Sequence, residues 1–375
     1  MTKKIAILTQ PLHINYGGTL QAYALQKVLK DMCFDVETIN YRTKKSSTFR
    51  KLLSTIKQVL EGTNKFQFTT VELKKIRLLH NNFIASNINT SSEINTLQEL
   101  KKYFCNKSFD AVIVGSDQVW RVDYSPRIES YFLDFLYEDK KIKKISYAAS
   151  FGLDKWDFSQ NLTNKLIKYI KEFDALSVRE DSAVKLSKEN LDVGVDHVLD
   201  PTLLLEHDDY IKLFNEEKSE NTGKIFSYIL DENKIKIIQK ISEHLGGKKV
   251  FKKQPIKKSK NEFFVADLTD YQYPSIESWL KAFNDATFIV TDSFHGTVFS
   301  IIFNKQFISI KNKERGNSRF ESLLKIFELE DRLIDDNEKC IEEIISKKIN
   351  YDKINLRLNT LREYSKTWLL KSLKG

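Results

Sequence analysis

The chain has 375 residues, 41% hydrophobic and 30% charged, with a formal net charge of +9. That length suits two domains of ordinary size, and the apolar share is enough for real cores; five prolines and twelve glycines argue against a long disordered region. No apolar run approaches the roughly 20 residues that span a bilayer, and Cys33, Cys105 and Cys340 are too scattered for a disulfide framework or a metal cluster, as in a reducing cytoplasm.

Residues 1–8 start basic but hold only a brief apolar stretch, so they read as the opening of a buried strand over 4–10, not a secretory signal. Residues 19–31 have helical spacing, with Leu20, Tyr23, Ala24, Val28 and Leu29 on one side. A strand with period-two alternation follows at 34–39. Amphipathic helices are expected over 48–61 and 71–84, and another within 91–103. Residues 109–115 form a buried strand ending in a glycine turn, and 144–150 a further strand. This β/α alternation implies a largely parallel, doubly wound sheet.

A helix over 161–173 and a short strand at 175–179 come next. A strand over 195–202 stops at Pro201. A second βα series opens at 224–230. It continues with a helix at 235–245, a strand at 249–251, a helix at 275–284, a strand at 286–290, a helix whose buried side is 300–303, and a strand at 307–310. Residues 319–375 are mostly helical and strongly charged. The domain boundary is expected near residue 173, and two open sheets side by side would create a cleft between their carboxyl ends.

The longest basic cluster runs from Lys248 and Lys249 through Lys252 and Lys253 to Lys257, Lys258 and Lys260. A solvated edge ranks first, weak attraction to an anionic membrane surface second and nucleic acid a distant third, because arginine is sparse and no nucleic-acid motif is present.

The most informative motif is Thr291-Asp292-Ser293-Phe294-His295-Gly296-Thr297, which passes from a buried strand into a helix. A helix N-terminus suits a phosphate or carboxylate, and a histidine there can donate or accept a proton near neutral pH. The alternative is that His295 packs or caps the turn. Four other constellations point to the same cleft. After the first strand, Asn15-Tyr16-Gly17-Gly18-Thr19 has paired glycines that permit a tight turn, capped by Thr19, or close approach of a ligand; they lack dinucleotide spacing. In Gly115-Ser116-Asp117-Gln118-Val119-Trp120, Ser116 or Asp117 caps a helix, or Asp117 meets a sugar hydroxyl beside an apolar platform from Trp120. Arg179 ends a strand, and its fork matches a carboxylate or phosphate unless Glu180 or Asp181 pairs with it. Arg319, in Gly316-Asn317-Ser318-Arg319-Phe320, begins a helix and points at an anion or lies on the surface. There is no Ser-His-Asp order, H-E-x-x-H, P-loop or cysteine pair. The chemistry suggested is anion binding plus one general acid/base, with no metal and no cofactor.

Taken in order, these motifs resemble the polysaccharide pyruvyl transferase family. The matching pieces are Asn15-Tyr16-Gly17-Gly18 with Leu20-Gln21, Gly115-Ser116-Asp117 with Trp120, Ser146-Tyr147-Ala148-Ala149-Ser150-Phe151-Gly152, Ser177-Val178-Arg179-Glu180, Asp200-Pro201-Thr202 and Thr291 to Gly296. The resemblance implies two Rossmann-like α/β domains facing across a cleft, a glycosyltransferase-B-like arrangement. The expected division is an N-terminal, acceptor-side domain over 1–173 and a C-terminal, donor-side domain over 174–345. A helix within 346–375 would pack back on the first. The resemblance also implies transfer of a pyruvyl group from phosphoenolpyruvate, as donor substrate, onto two hydroxyls of a sugar to give a cyclic ketal. The acceptor would be a sugar or lipid-linked oligosaccharide of a capsule or exopolysaccharide, met in the cytoplasm or at the inner face of the membrane.

By the same resemblance His295 and Arg179 are catalytic. Donor contacts are expected from Arg179, Ser293, Gly296, Thr297 and Arg319, and acceptor contacts from Asn15, Gly17, Gly18 and Asp117. Family members often carry arginine where this chain has Ser293, so Arg319, a lysine or the helix end would supply that cation. The alternatives are a nucleotide-sugar glycosyltransferase of the same layout and a non-catalytic sugar-binding family member.

Overall fold

The computed structural model describes residues 2–42, 68–214, 221–256, 267–312, 316–335 and 340–374. The helix expected over 48–61 and the lysines at 257, 258 and 260 lie outside these residues.

The chain begins with strand β1 (Lys4–Leu8), helix α1 (Tyr16–Asp31) and β2 (Asp35–Thr38). Helices α2 (Thr70–Ile76), α3 (Leu78–Asn87) and α4 (Leu97–Lys107) precede β3 (Ala111–Val114) and β4 (Lys143–Ala149). Then come α5 (Gln160–Ile170), β5 (Ala175–Val178), α6 (Asp181–Leu191), β6 (Asp196–His197) and α7 (His207–Ile211). The second series is β7 (Ile225–Tyr228), α8 (Ile235–His244), β8 (Val250–Phe251), α9 (Ile276–Asp285), β9 (Phe288–Thr291), α10 (Phe294–Ile302), β10 (Gln306–Ile310), α11 (Ser318–Phe327) and β11 (Leu333–Ile334). Helices α12 (Ile341–Ser346) and α13 (Tyr351–Lys374) close the chain.

Two all-parallel sheets result, in the orders β2-β1-β3-β4-β5-β6 and β11-β10-β9-β7-β8. Their central strands, such as Ala111-Val112-Ile113-Val114 and Phe288-Ile289-Val290-Thr291, are buried along their whole length. Parallel strands covered on both faces require such unbroken apolar runs. In each sheet the chain order reverses once: between β1 and β3 in the first, and between β7 and β9 in the second. Ligands in open α/β sheets gather beyond the carboxyl ends at such reversals.

The sheet membership corrects the division expected at residue 173. β5 pairs with β4 through Ile145 opposite Ala175 and Ser146 opposite Leu176, and β6 pairs with β5. The first sheet therefore runs through His197, and the second begins at Ile225. A short apolar run does not declare its partner strand, because parallel pairing is decided by contacts remote in sequence.

One apolar cluster spans both sheets. Tyr16, in the first turn of α1, stacks on Trp279 of α9 with ring centroids 5.1 Å apart, and its hydroxyl donates to the Pro274 carbonyl at 2.7 Å. Helix α13 returns to the first sheet: Trp368 Nε1 donates to Asp196, the Leu199 N–H donates to Ser365 Oγ, and Arg362 donates to the carbonyls of Leu203 and Leu205. Among the described residues no helix is long and apolar enough to cross a membrane.

Candidate active site

The two sheets turn their carboxyl ends toward a shared cavity of about 390 Å³. Its walls come from both chain reversals: Asn15 and Tyr16 after β1, Asp117 and Gln118 after β3, Tyr228 and Leu230 at the end of β7, and Ser293 to His295 after β9. Two helix N-termini meet there. Asn15 caps α1 by accepting from the Gly18 N–H at 3.1 Å, and Ser293 caps α10 by accepting from the Gly296 N–H at 3.4 Å. Both caps have the residue types that accept an early helix N–H, and the remaining N–H groups add partial positive charge at the cavity.

His295 lines the cavity, 6% exposed, and is brought by α10 toward the first sheet. Its Nε2 is buried, has no hydrogen-bond partner among the described residues, and lies 3.8 Å from Oδ2 of Asp200. Asp200 follows β6 and belongs to the first sheet's carboxyl edge. Its Oδ1 accepts from the Thr202 backbone and hydroxyl, while Oδ2 accepts from Arg179 Nη1 at 2.6 Å and from the Ser116 hydroxyl at 3.3 Å. Burial alone would raise this carboxyl, but His295, Arg179 and Thr202 outweigh it and hold Asp200 well below the usual carboxylate range. The Asp200 carboxylate thus faces the imidazole edge across 3.8 Å, anchored on its other side by Arg179 and Thr202.

Arg179 is the centre of this network. Its Nη2 donates to Oδ1 of Asp117 at 2.9 Å, its Nη1 to Asp200, and Nε lies 3.8 Å from Glu180. The side chain is 1% exposed. Burial opposes the charge, yet Asp117, Asp200 and Glu180 together lift the guanidinium above its ordinary value. Asp117 is buried too, which pushes its carboxyl up, and Arg179, His295 and Arg319 more than reverse that.

Arg319, at the start of α11, supplies cationic surface in the cavity wall. It is 5% exposed, and burial together with Arg179 pushes it down to about 10. The ring of Phe294 lies 4.7 Å from the Arg179 guanidinium carbon and 5.4 Å from that of Arg319, so its π-face accompanies both cations. Asp292 also lines the cavity, but its oxygens accept from the backbone N–H groups of Leu230 and Asp231 and from Asn312, tying the ends of β7, β9 and β10 together.

The structure thus brings together at the cavity five of the residues expected there: Asn15, Asp117, Ser293, His295 and Arg319. The others lie outside its lining. Arg179 lies behind the cavity wall, its fork bonded to the carboxylates of Asp117 and Asp200. Gly296 and Thr297 are turned away: a side chain at Gly296 would meet Thr291, and Thr297 bonds to Ser309 and to the Ser293 carbonyl. Gly17 and Gly18 are not a turn capped by Thr19. They form the first turn of α1, and what approaches Gly17 closely is the His295 ring. The next helical turn, Ile128–Phe132, starts after Arg127, so neither Ser116 nor Asp117 caps it, and Trp120 is fully buried against Phe132. Arg319 is internal rather than on the surface. Asp200 was visible only as part of Asp200-Pro201-Thr202; an acid where a strand stops at proline is the signal that could have marked it. Among the described residues no cluster of His, Cys, Asp and Glu could hold a metal ion.

A model of the family described as polysaccharide pyruvyl transferase matches residues 15–314. Among curated proteins, none matches the chain. A structure of a TarM variant from S. aureus in complex with fondaparinux, alpha-GlcNAc-glycerol and UDP covers 100% of this chain and 100% of its own at 12% identity, with a TM-score of 0.52. The S. aureus MnaA–UDP co-structure covers 96% of this chain and 91% of its own at 12% identity, with a TM-score of 0.51. At that identity the likeness is one of fold, and it gives the two domains a glycosyltransferase-B-like arrangement.

Proposed function

The chain belongs to the polysaccharide pyruvyl transferase family, and on that premise we propose that it transfers the pyruvyl group of phosphoenolpyruvate to two hydroxyls of one sugar, forming a cyclic ketal and releasing phosphate. As a family member it is a transferase of polysaccharide biosynthesis with a sugar acceptor. The observation that carries the finer reading is the convergence of His295, Arg319 and the N-terminus of α10 on one cavity that also holds the carboxylate of Asp117.

Phosphoenolpyruvate carries a phosphate and a carboxylate. Arg319, the Ser293 hydroxyl and the positive end of α10 supply the cation, donor and dipole these groups need. Arg319 takes the place of the arginine that family members often carry at the Ser293 position. His295, backed by Asp200, protonates the methylene carbon of the enol, and positive charge develops at the central carbon. A sugar hydroxyl attacks that carbon and forms the first C–O bond. The C–O bond to phosphate then breaks, and the second hydroxyl closes the ketal. Each hydroxyl gives up one proton: one replaces that consumed at the methylene carbon, and one leaves with phosphate. Asp117, facing the cavity from the first sheet, accepts a hydrogen bond from the acceptor. The acceptor is a free or lipid-linked glycoside, and the reaction takes place in the cytoplasm, at or near the inner membrane face.

The test is incubation with phosphoenolpyruvate and a panel of pyranosides, following phosphate by ³¹P NMR and the sugar by mass spectrometry. Phosphate release coupled to gain of one pyruvyl ketal supports the reading. Consumption of a nucleotide sugar instead would make the protein a glycosyltransferase, and sugar binding without turnover on either donor would make it a non-catalytic member.

A further inference from the structure

We propose that Tyr124, on the first-sheet wall of the cavity mouth, is the platform on which the acceptor's pyranose ring stacks. This rests on the transferase reading of the same cavity and adds where the sugar lies. The sequence offered Trp120 for that role, but Trp120 is wholly internal, its Nε1 donating to the Tyr131 carbonyl at 3.0 Å. One turn of loop later the chain presents Tyr124 instead, which lines the cavity with 43% of its surface exposed.

An exposed ring is a poor platform if it swings, and this one is held. The Arg121 guanidinium carbon lies 4.1 Å from its ring centroid, and Arg121 is in turn held by Oε1 of Gln118 at 3.1 Å. The loop beneath is pinned to the end of β1. The Gln10 side-chain amide donates to the Gln118 carbonyl at 2.8 Å and to Ser125 Oγ at 2.9 Å, and Ser125 Oγ donates to the Val119 carbonyl at 2.6 Å. The Tyr124 and Ser125 N–H groups both donate to the Arg121 carbonyl. A cation on one side of the ring and fixed backbone below it remove most of the ordering cost that an unsupported side chain would bear on binding. The π-surface suits the C–H face of a pyranose, while the amides of Asn15 and Gln118 and the Asp117 carboxylate in the same wall suit its hydroxyls. A small polyanion such as phosphoenolpyruvate has no use for an aromatic face. Tyr124 therefore sets acceptor affinity and leaves donor affinity alone.

The experiment is saturation-transfer NMR and titration of the full chain with methyl β-D-galactopyranoside, methyl β-D-glucopyranoside and methyl N-acetyl-β-D-mannosaminide. Wild type, Tyr124→Ala and Tyr124→Phe are compared, and phosphoenolpyruvate affinity is measured in parallel by calorimetry. Tyr124→Ala should weaken the bound glycoside about tenfold or more, Tyr124→Phe should keep it within about twofold, and donor affinity should not move. Glycoside binding unchanged in Tyr124→Ala would overturn the platform while leaving the transferase reading intact. Equal losses in Ala and Phe would also overturn it, since they would assign the effect to the hydroxyl. Failure of wild type to bind any of the three glycosides would overturn it as well. Donor binding in that case would show that the transferase reading survives without this subsite.

Discussion

Gly17 and His295 touch across the cleft: a methyl group placed on Gly17 would lie 2.0 Å from Nδ1 of the imidazole. Gly17 sits in the first turn of α1 and His295 in that of α10, so helix N-termini from two different sheets are in contact at the cavity. Gly17→Ala would gain up to about 1 kcal/mol of helix propensity but would push the ring off its position beside Asp200. Turnover should fall about a hundredfold, with the thermal midpoint changed by only a few degrees. Wild-type turnover in this variant would show that the imidazole does not depend on that contact.

His295→Ala should reduce phosphate release by roughly 10²–10⁴-fold while circular dichroism stays that of the folded protein. Nε2 has no hydrogen-bond partner among the described residues, so removing the ring orphans nothing there. Full activity in the variant would make His295 a packing residue.

Arg179→Ala leaves the buried carboxylates of Asp117 and Asp200 without their shared cation. Breaking such a pair from one side costs about 3–5 kcal/mol, so the variant should unfold earlier in urea whatever ligand is present. The pH dependence follows from the same pairing. Both carboxyls are held below their ordinary value of 3.8 in the folded chain, so on acidification the unfolded chain takes up protons first. Their stabilisation is complete above the ordinary carboxylate range and is lost as pH falls through and below it. Without Arg179 this acid-side slope should flatten. If the variant's denaturation midpoint matched wild type and only donor affinity fell, Arg179 would be a ligand contact after all.

Arg319→Gln removes a cation from the cavity wall. Hydrogen bonds to charged groups contribute about 1.5–3 kcal/mol, so the constant for phosphoenolpyruvate should rise about ten- to a hundredfold while glycoside binding is unchanged. An unaltered donor constant would exclude Arg319 from the anion site.

His80 offers a separate acid-side signal. It is fully buried, with Nε2 at 2.9 Å from the Thr19 hydroxyl, and burial followed by the charge of His13 lowers it from 6.5 to about 4. The folded state therefore resists a proton that the unfolded chain accepts. Stability from this residue is complete above pH 6.5 and declines as pH falls from 6.5 to about 4. A drop of about 3 kcal/mol across that window is expected, and His80→Gln should remove the slope even if it lowers stability overall. An identical slope in the variant would place the titration elsewhere.

Much of the strand content could be read from local pattern. Runs such as Ala111 to Val114 and Phe288 to Val290 are apolar at every position, a pattern that parallel strands covered on both faces require, and each is followed within a few residues by a polar motif at the carboxyl end. The order of those motifs was enough to suggest the family. Membership of β5 and β6 in the first sheet was not legible, because a four-residue and a two-residue strand carry no mark of their neighbours. That error moved Arg179 and Asp200 to the wrong side of the cleft.

Residue type and spacing therefore announced which side chains gather at the carboxyl ends: an imidazole, two guanidiniums and a carboxylate. They could not announce which would be spent on one another. Arg179 and Arg319 look alike along the chain, yet one is consumed by Asp117 and Asp200 while the other lines the cavity. Trp120 and Tyr124 likewise differ only in which is turned inward. Burial and charge pairing are properties of atoms close in space but distant along the chain, so they came into being only when the two sheets closed on each other.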